Sequence, residues 1–457
     1  MRRIVVVGGG YAGFYTAWKL EKKLRRGEAE VVLIDPRPYM TYQPFLPEVL
    51  SGSVEARHAA ISLRRNLRRT RIIAGSVTTV EHARRTVTIH PVSGEDFELR
   101  YDVIVVTAGA VTRTFDLPGV ADHAIGMKHV EEAVAVRDRL LTAFDEASVL
   151  PPGPVRRRLL TVVVVGAGFN GVESFGEMLS LANSLLKSYP GLSRDDLSFH
   201  LVEATARILP EVTDGPRAWV RRLLEGRGGH LHLETTVVSA AGGHMVLSDG
   251  SEFDAELIVW TAGNAATRLV RGHTDLPVTA RGLQTRADLR VGTEDEIVPD
   301  AWAAGDDAAI PDLASPVPGA LTVPNAQNAV RQGKLLAKNL LASLRGREPK
   351  QYLHHTLGSV ATLGLGTGVF QFRRLVVKGL LAWLMHRGYH VLAVPTWDRK
   401  VRVLAVWLAS AFYGRDIVSL ASIQHPRAAF TTDAPQAAPV KSEPAVKPEP
   451  VTQPEGR

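Results

Sequence analysis

The chain has 457 residues, of which 45% are hydrophobic and 22% charged, a composition that disfavours collagen, wholesale disorder and a multispanning membrane protein. It contains no cysteine, which excludes disulfides, cysteine-ligated zinc or iron–sulfur clusters, and thiol catalysis. Any redox chemistry therefore needs a bound cofactor. Lys and Arg (54) exceed Asp and Glu (47), and the net charge of +7 indicates an anionic partner, which at this point is a nucleotide, a nucleic acid or a lipid headgroup.

The chain begins with a pattern of strand, glycine turn and helix. The branched apolar run Ile4 to Val7 predicts a buried parallel strand, and Gly8, Gly10 and Gly13 follow it. Glycines at this spacing permit a tight turn and a close approach of backbone to a pyrophosphate at the helix N-terminus. A second predicted strand closes at Asp35, 22 residues past Gly13, where a carboxylate accepts hydrogen bonds from ribose hydroxyls. The pattern predicts a dinucleotide site, with a plain turn beside a solvated aspartate as the alternative.

The same pattern returns in the middle of the chain. A run of valines is followed by three glycines at the same spacing, Gly166, Gly168 and Gly171. The acidic residue is Glu203, 32 residues past Gly171. A carboxylate there accepts two ribose hydroxyls but repels a 2′-phosphate, which favours NADH over NADPH. The nearby Arg207 leaves NADPH open, because a guanidinium binds phosphate.

A further strand follows in each half and ends in the same three residues, as Thr107-Ala108-Gly109 and Thr261-Ala262-Gly263. From the first glycine of the turn to this last glycine is 101 residues in the first half and 97 in the second. The sequence therefore contains the same dinucleotide-binding pattern twice. Since the chain has two such sites and no thiol, a flavin is the expected electron store between a nicotinamide and an acceptor.

These patterns predict an α/β chain with two Rossmann-like dinucleotide-binding domains, the second inserted in the first. The first domain is expected at 1–117 and 275–345, and the second at 118–274. A later strand and turn, Ala301 to Asp306, precedes a helix predicted from about Asn325 to Leu344.

Beyond residue 345 the sequence interleaves apolar and aromatic side chains with basic ones. Two stretches, Phe370 to Arg387 and Arg399 to Arg415, suit helices lying in the headgroup region of an anionic membrane. The alternative is packing on the protein's own core or on a second subunit, which leaves a homodimer open. We expect a membrane-association region at 346–427 and a disordered tail, rich in Ala, Pro, Lys and Glu, at 428–457.

Several motifs of the chain occur together: the two glycine turns, Tyr42 to Gly52, Gly171-Val172-Glu173, Trp302 to Asp306, Ala326-Gln327 and Lys378 to Trp383. In this combination the chain resembles the type II NADH dehydrogenases from residue 1 to about 427. The resemblance implies that the first domain binds FAD and the second NADH. It also implies that a hydride passes from the nicotinamide to the flavin and that two electrons then pass to a quinone.

The resemblance assigns roles to individual residues. FAD is expected at Gly8, Gly10, Gly13, Asp35, Thr107, Ala108, Gly109, Gly305, Asp306 and Ala326. NADH is expected at Gly166, Gly168, Gly171, Glu203 and Gly263. Asp306 is placed on the ribityl chain of the flavin, with a helix-capping aspartate as the alternative. Glu173 is expected to face nicotinamide and flavin, with a carboxylate that complements the first turn of its helix as the alternative.

Gln327 and Arg331 mark a departure from the family. Two glutamines four residues apart usually lie near the flavin ring and the quinone headgroup, but the second position here is Arg331. A guanidinium donates hydrogen bonds and cannot accept them, so the identity of the acceptor is left open. The alternative is that Arg331 turns to solvent. We expect Glu173, Gln327 and Arg331 to be the catalytic set.

The sequence therefore predicts a peripheral FAD enzyme on the cytoplasmic face of the cell membrane. It would oxidise NADH and reduce a membrane quinone, with menaquinone the expected one, without pumping protons. No stretch of 18 apolar residues predicts a spanning helix, and we expect no metal and no nucleic acid, because neither a metal-ligand spacing nor a nucleic-acid motif is present. The alternatives are a soluble reductase that passes electrons to a small iron–sulfur protein, and a slow-turnover nucleotide-sensing flavoprotein.

Overall fold

The structure is a computed structural model that describes residues 1–355, 358–424 and 427. Its internal contacts divide the chain into two units, Met1–Ser419 and Leu420–Arg457. The described part of the second unit contains a short 3-10 helix, Ala421–Gln424. The tail predicted at 428–457 lies outside the described residues and stays a prediction.

The α-helices of Met1–Ser419 are numbered in chain order. They are α1 (Tyr11–Lys23), α2 (Leu46–Leu50), α3 (Leu63–Asn66), α4 (Val120–His123), α5 (Val130–Ser148), α6 (Pro154–Leu159), α7 (Phe169–Leu185), α8 (Asp214–Gly226), α9 (Arg268–Gly272), α10 (Ala326–Leu344), α11 (Leu380–Ala393) and α12 (Trp397–Tyr413). α10 confirms the helix predicted at about this position, and the side chain of Asn325 caps it by accepting a hydrogen bond from the Asn328 amide at 2.8 Å.

The first glycine turn belongs to an eight-stranded sheet. Its strands, in spatial order, are Arg290–Gly292, Ile297–Ala303, Val103–Val106, Arg2–Val7, Ala29–Asp35, Arg71–Glu81, Thr86–Pro91 and Phe97–Arg100. Neighbouring strands from Ile297–Ala303 to Arg71–Glu81 run parallel, and the edges are antiparallel. The carboxyl ends of the central strands therefore meet at one edge, where a doubly wound sheet binds its ligand.

The second glycine turn belongs to a five-stranded parallel sheet. Its strands, in spatial order, are Ala124–Gly126, Leu257–Trp260, Thr161–Val165, Ser198–Glu203 and Gly229–Leu233. All of these residues lie in sequence between strands Val103–Val106 and Ile297–Ala303 of the first sheet. The second sheet is thus built from a segment inserted in the first, which confirms the predicted fold class.

An antiparallel ribbon, Ala110–Thr112 with Asn264–Ala266, marks the points where the chain leaves the first sheet and where it leaves the second. The remaining strands form small sheets. These are Tyr39–Thr41 with Ala60–Ser62; Val237–Ser239, His244–Leu247 and Glu252–Asp254; Val278–Thr279, Gly282–Gln284 and Ala308–Ala309; and Ser359–Thr362, Gly368–Phe372 and Leu375–Gly379.

The C-terminal region departs from the prediction. The stretch Phe370 to Arg387 was expected as one amphipathic helix, but its first part completes an antiparallel hairpin, Gly368–Phe372 with Leu375–Gly379. The valines of this segment favour extended backbone, because branched side chains pack well on a pleated surface. Gly379, at φ +71°, ends the strand, and α11 begins at the next residue.

Close packing of α1 on α10 fixes the first glycine turn. An added Cβ at Gly333 would lie 2.4 Å from the carbonyl oxygen of Ala12, so the two helix backbones touch where α1 leaves the turn. The hydroxyl of Thr16 also donates a hydrogen bond to the carbonyl of Gly333, at 3.1 Å. In the part of the chain that the structure describes, no helix is long and apolar enough to cross a membrane.

Candidate functional site

The first glycine turn has the geometry that a dinucleotide needs. Gly8 has φ +93°, a conformation that side chains with a Cβ rarely adopt, and an added Cβ at Gly13 would lie 1.9 Å from the carbonyl oxygen of Gly8. At Gly10 a Cβ would meet nothing within 4 Å and would project into open space. The turn is therefore tight on its inner side and open where the N-terminus of α1 points.

A carboxylate closes this turn. Asp35, at the end of the neighbouring strand, accepts hydrogen bonds from the amide of Gly9 at 2.6 Å and from the amide of Arg37 at 2.7 Å. Burial raises the pKa of Asp35, and these two hydrogen bonds lower it in part. Each carboxylate oxygen keeps a lone pair, so Asp35 is able to accept a ribose hydroxyl as well.

The second glycine turn repeats this geometry. Gly166 has φ +98°, and an added Cβ at Gly171 would lie 1.8 Å from the carbonyl oxygen of Gly166. Glu203 accepts hydrogen bonds from the amide of Ala167 at 2.7 Å and from the amide and hydroxyl of Thr205, both at 2.9 Å. Gly168, like Gly10, would place a Cβ in open space.

The two Thr-Ala-Gly segments also match in geometry. The hydroxyl of Thr107 donates to the carbonyl of Val7 at 2.8 Å, and that of Thr261 donates to the carbonyl of Val165 at 2.8 Å. Gly263, at φ +72°, lies under the ring of Phe115, which an added Cβ would meet at 2.9 Å. Each threonine thus ties the end of one strand to the glycine turn beside it.

A cleft opens at the first turn. It is lined by every residue predicted for FAD except Gly13, which packs behind the turn. Residues not singled out by the sequence also line it, namely Tyr11, Ala12, Arg37, Tyr39, Met40, Thr41, Gln43, Ala110, Lys128, His129, Ala304 and Ala329. Most of these lie within a few residues of a predicted position, whereas Lys128 and His129 come from the segment that precedes α5 and carried no signal of their own.

Two adjacent aspartates, Asp306 and Asp307, follow the strand Ile297–Ala303 and have different roles. Asp306 lines the cleft, where burial raises its pKa and the charge of Lys128 lowers it in part. Asp307, which the sequence did not single out, is fully buried and accepts a hydrogen bond from the Ala108 amide at 2.6 Å. Burial raises the pKa of Asp307 to about 7. Asp307 thereby positions the Thr-Ala-Gly segment, while Asp306 remains available to a ligand.

These observations fit FAD. The open face of Gly10 and the amides of α1 suit a pyrophosphate, Asp35 suits a ribose, and Asp306 at a strand end suits the hydroxyls of a ribityl chain. The side-chain amide of Gln332, which the sequence also did not single out, fixes this region by accepting a hydrogen bond from the Gly305 amide at 2.9 Å. Among the described residues, no three His, Asp or Glu side chains are grouped to hold a metal ion.

Gln327 and Arg331 lie together on one face of α10, next to the end that carries Ala326. The guanidinium of Arg331 donates to the carbonyl of Gln327 at 3.0 Å, and the Gln327 amide donates to the carbonyl of Gly358 at 3.4 Å. Arg331 is half-buried, and its charge opposes the burial that raises the pKa of Tyr352 to about 12. It therefore does not simply turn to solvent.

Glu173 lies in the interior, between α7 and the C-terminal region. α7 begins at Phe169, so Glu173 lies beyond its first turn and does not complement the helix N-terminus there. It is buried, accepts a hydrogen bond from the Thr362 amide at 3.0 Å, and lies 3.4 Å from His386. It does not line the cleft of the first turn.

The sequence matches known proteins over most of its length. The model of the family described as pyridine nucleotide-disulphide oxidoreductase matches residues 2–333. The chain is 30% identical over 426 residues to the type II NADH:quinone oxidoreductase Ndh of Mycobacterium tuberculosis, covering 89% of this chain and 87% of that protein. It is 26% identical over 417 residues to the demethylphylloquinone reductase NdbB of Synechocystis, covering 89% and 95%.

The fold is similar to that of NDH2 from Plasmodium falciparum, solved in complex with NADH. The TM-score is 0.82 at 18% identity, over 91% of this chain and 99% of that chain. At this identity the likeness shows the fold alone. Given the family match over residues 2–333 and the 30% identity to the mycobacterial relative over most of both proteins, the chain belongs to the pyridine nucleotide-disulphide oxidoreductases and, within them, to the type II NADH:quinone oxidoreductases.

Proposed function

We propose that this protein oxidises NADH with a bound FAD and passes two electrons to a membrane quinone, without moving protons across the membrane. The observation that carries the proposal is the pair of glycine turns of matching geometry, each closed by a carboxylate, in a family of NADH:quinone oxidoreductases. The chain has no cysteine, so the thiol chemistry of disulfide reductases is not available to it.

On the flavin side, the chain supplies binding and orientation. When bound, FAD accepts a hydride from the nicotinamide and gives two electrons to the quinone. The amides of α1 and the carboxylates of Asp35 and Asp306 hold its polar parts. The ammonium of Lys128 donates to the carbonyl of Ala110 at 3.1 Å and lies in the cleft, where it adds positive charge next to Asp306.

On the nicotinamide side, Glu203 selects the cofactor. Its carboxylate is fixed by the backbone at the end of strand Ser198–Glu203, where a ribose 2′-phosphate would meet a negative charge. Arg207 is exposed two residues past Thr205, and its backbone is bonded to the hydroxyl of that threonine. NADH is therefore the proposed substrate.

On the acceptor side, we assign Gln327 and Arg331 to the quinone headgroup. Both lie on the first turns of α10, whose N-terminal residues Ala326 and Ala329 line the cleft. The N-terminus of a helix stabilises negative charge, and a guanidinium donates to quinone carbonyls. Menaquinone is the proposed acceptor.

The surface of α11 and α12 suits a membrane. Large apolar side chains recur at helical spacing on the outer face of both helices and are exposed: Leu380, Leu381, Leu384, Leu392, Trp397, Val401, Leu404, Leu408 and Phe412. Basic side chains are exposed on the same elements and beside them: Arg65, Arg373, Arg374, Lys378 and Arg402. Such a face lies in the headgroup region of an anionic membrane, and we place it on the cytoplasmic side. A soluble reductase for a small iron–sulfur protein would leave this apolar face unexplained.

The nucleotide preference tests the function as a whole. The purified holoprotein is expected to oxidise NADH with a short-chain menaquinone analogue, with kcat/KM for NADH at least about tenfold above that for NADPH, because Glu203 repels the 2′-phosphate. Steady-state absorbance assays measure both. Equal rates with NADPH would assign the phosphate to Arg207, and FAD binding without turnover would favour a sensor.

The acceptor assignment is tested by Arg331→Gln. Loss of the charged donor is expected to raise KM for the quinone roughly tenfold, because a hydrogen bond from a charged group contributes about 1.5–3 kcal/mol. The rate at which NADH bleaches the flavin should stay unchanged. Lys338→Gln, at an exposed position of the same helix, is the control and should alter neither quantity. Unchanged quinone kinetics in Arg331→Gln would contradict the assignment.

The membrane face is tested with a double variant, Leu381→Glu with Leu404→Glu. Binding to vesicles that contain phosphatidylglycerol is expected to fall tenfold or more, since each leucine contributes roughly 1.5–3 kcal/mol on burial. Vesicle co-sedimentation measures it, and added salt should weaken the binding of the unchanged protein. Val149→Glu, exposed at the end of α5, is the control. If the double variant binds as well as the control, the face does not contact the membrane.

A further inference from the structure

A buried cluster of charged side chains joins α2, α7 and α11. Glu48 on α2 and His386 on α11 are each 1% exposed, and Glu173 on α7 is 8% exposed. Charges at such depth are costly unless they are paired. The residues of the cluster come from three separate elements: a helix beside each of the two large sheets, and the C-terminal region. The cluster therefore forms only when these three parts are packed together.

His386 lies between the two carboxylates. Its Nε2 is 3.4 Å from an oxygen of Glu173, and its Nδ1 is 3.8 Å from Oε1 of Glu48. Neither that Nδ1 nor Oε1 of Glu48 has a hydrogen-bond partner among the described residues. A protonated imidazole has a donor on each ring nitrogen, so only the charged form of His386 offers a donor to both carboxylates at once.

The surrounding charges favour that form. Arg387 lies 3.1 Å from Glu48, which also accepts from the indole of Trp407, and Arg415 lies 3.2 Å from Glu177. Glu48 and Glu177 thus each have a guanidinium within ion-pair distance, and the charge of Arg227 also acts on Glu177, whereas His386 is the cation beside Glu173. Burial lowers the pKa of His386, but the hydrogen bond to Glu173 and the charges of Glu173, Glu48 and Glu177 outweigh burial and raise it overall.

His390, one turn further along α11, behaves in the opposite way. Burial and the charge of His386 lower the pKa of His390 well below its ordinary value. Its Nδ1 lies 3.1 Å from the hydroxyl of Tyr42, and the two imidazole rings are 4.4 Å apart. Of the two imidazoles, His386 is therefore the one whose surroundings favour the positively charged form.

We propose that His386 is a positioning residue of the electron-transfer site: it carries a positive charge in the folded protein at neutral pH and fixes Glu173 and Glu48 by offering one ring N–H to each. Without that charge, Glu173 has no cation within ion-pair distance among the described residues, and its burial costs more free energy. Glu173 lies on α7, the helix that opens at the second glycine turn, so a shift of its carboxylate changes the packing of the helix that would hold the NADH. The effect on electron transfer from NADH rests on the proposed function, whereas the positive charge on His386 does not.

The positive charge on His386 is tested by thermal unfolding of the holoprotein at pH 6 and pH 9. A histidine whose pKa is raised on folding stabilises fully below its unfolded pKa of about 6.5, and this stabilisation is lost as the pH rises through the folded pKa. The difference in Tm between wild type and His386→Gln should therefore be larger at pH 6, by about 1.5 °C for each tenfold by which folding raises the proton affinity of His386.

His390→Gln is the matched control, because it removes another buried imidazole from the same helix. Its pKa is lowered on folding, so its contribution is lost as the pH falls, and the sign of the pH effect should be reversed. Should His386→Gln fail to fold, Glu173→Gln in its place should make the Tm of the protein less dependent on pH. A Tm difference for His386→Gln that is equal at both pH values, or smaller at pH 6, would overturn the proposal.

The positioning role has a separate readout in stopped-flow bleaching of the flavin by NADH. In wild type the rate should fall as the pH rises through the folded pKa of His386. In His386→Gln it should be lower by about tenfold or more at pH 7 and independent of pH, and His386→Lys, which restores a positive charge, should recover part of it. A wild-type pH profile in His386→Gln would overturn the positioning role. If NADH bleaches no flavin in wild type, the proposed function fails, and the Tm comparison still decides the charge.

Discussion

Two carboxylates hold the glycine turns of this protein by accepting hydrogen bonds from their backbone amides. Asp35 binds the amide of Gly9, and Glu203 binds that of Ala167, each from the end of the neighbouring parallel strand. Because the glycines of these turns have no side chains, these contacts and the hydrogen bonds donated by Thr107 and Thr261 hold the shape of each turn. The positions of the pyrophosphate and ribose groups of both dinucleotides depend on that shape.

The C-terminal region links the two nucleotide-binding parts through buried charge. α11 brings His386 between Glu48 and Glu173, and Arg387 and Trp407 both donate to Oε2 of Glu48. The same helices present their apolar side chains outward. The inner side of α11 and α12 therefore contacts the buried charges, and their outer side forms the proposed membrane face. Because both sides belong to the same helices, a change in the buried charges affects the position of the membrane face, and a change in the membrane face affects the buried charges.

The sequence predicted the fold, and it singled out residues that the structure brings together in one cleft, because both depend on local patterns. Glycine spacing, branched strands and an acid at the next strand end identify a dinucleotide turn from residues close in sequence, and the cleft is lined as predicted apart from Gly13. The hairpin Gly368 to Gly379 was mistaken for a helix, because basic and apolar residues alternate irregularly there and periodicity alone does not separate a strand from a helix.

The pairing of Glu173 with His386, 213 residues away, depends on packing of three helices and left no local signal. Asp307 and Gln332 were missed because they act on the backbone of the site rather than on a ligand.

The central claim is that one chain couples two half-reactions, the reduction of its flavin by NADH and its reoxidation by a quinone. Anaerobic double-mixing stopped-flow absorbance of the holoprotein tests this claim most directly. The account predicts that NADH bleaches the flavin and that a menaquinone analogue then restores its absorbance, both at rates no slower than steady-state turnover. Bleaching that the quinone does not reverse would contradict the claim and would assign the electrons to another acceptor.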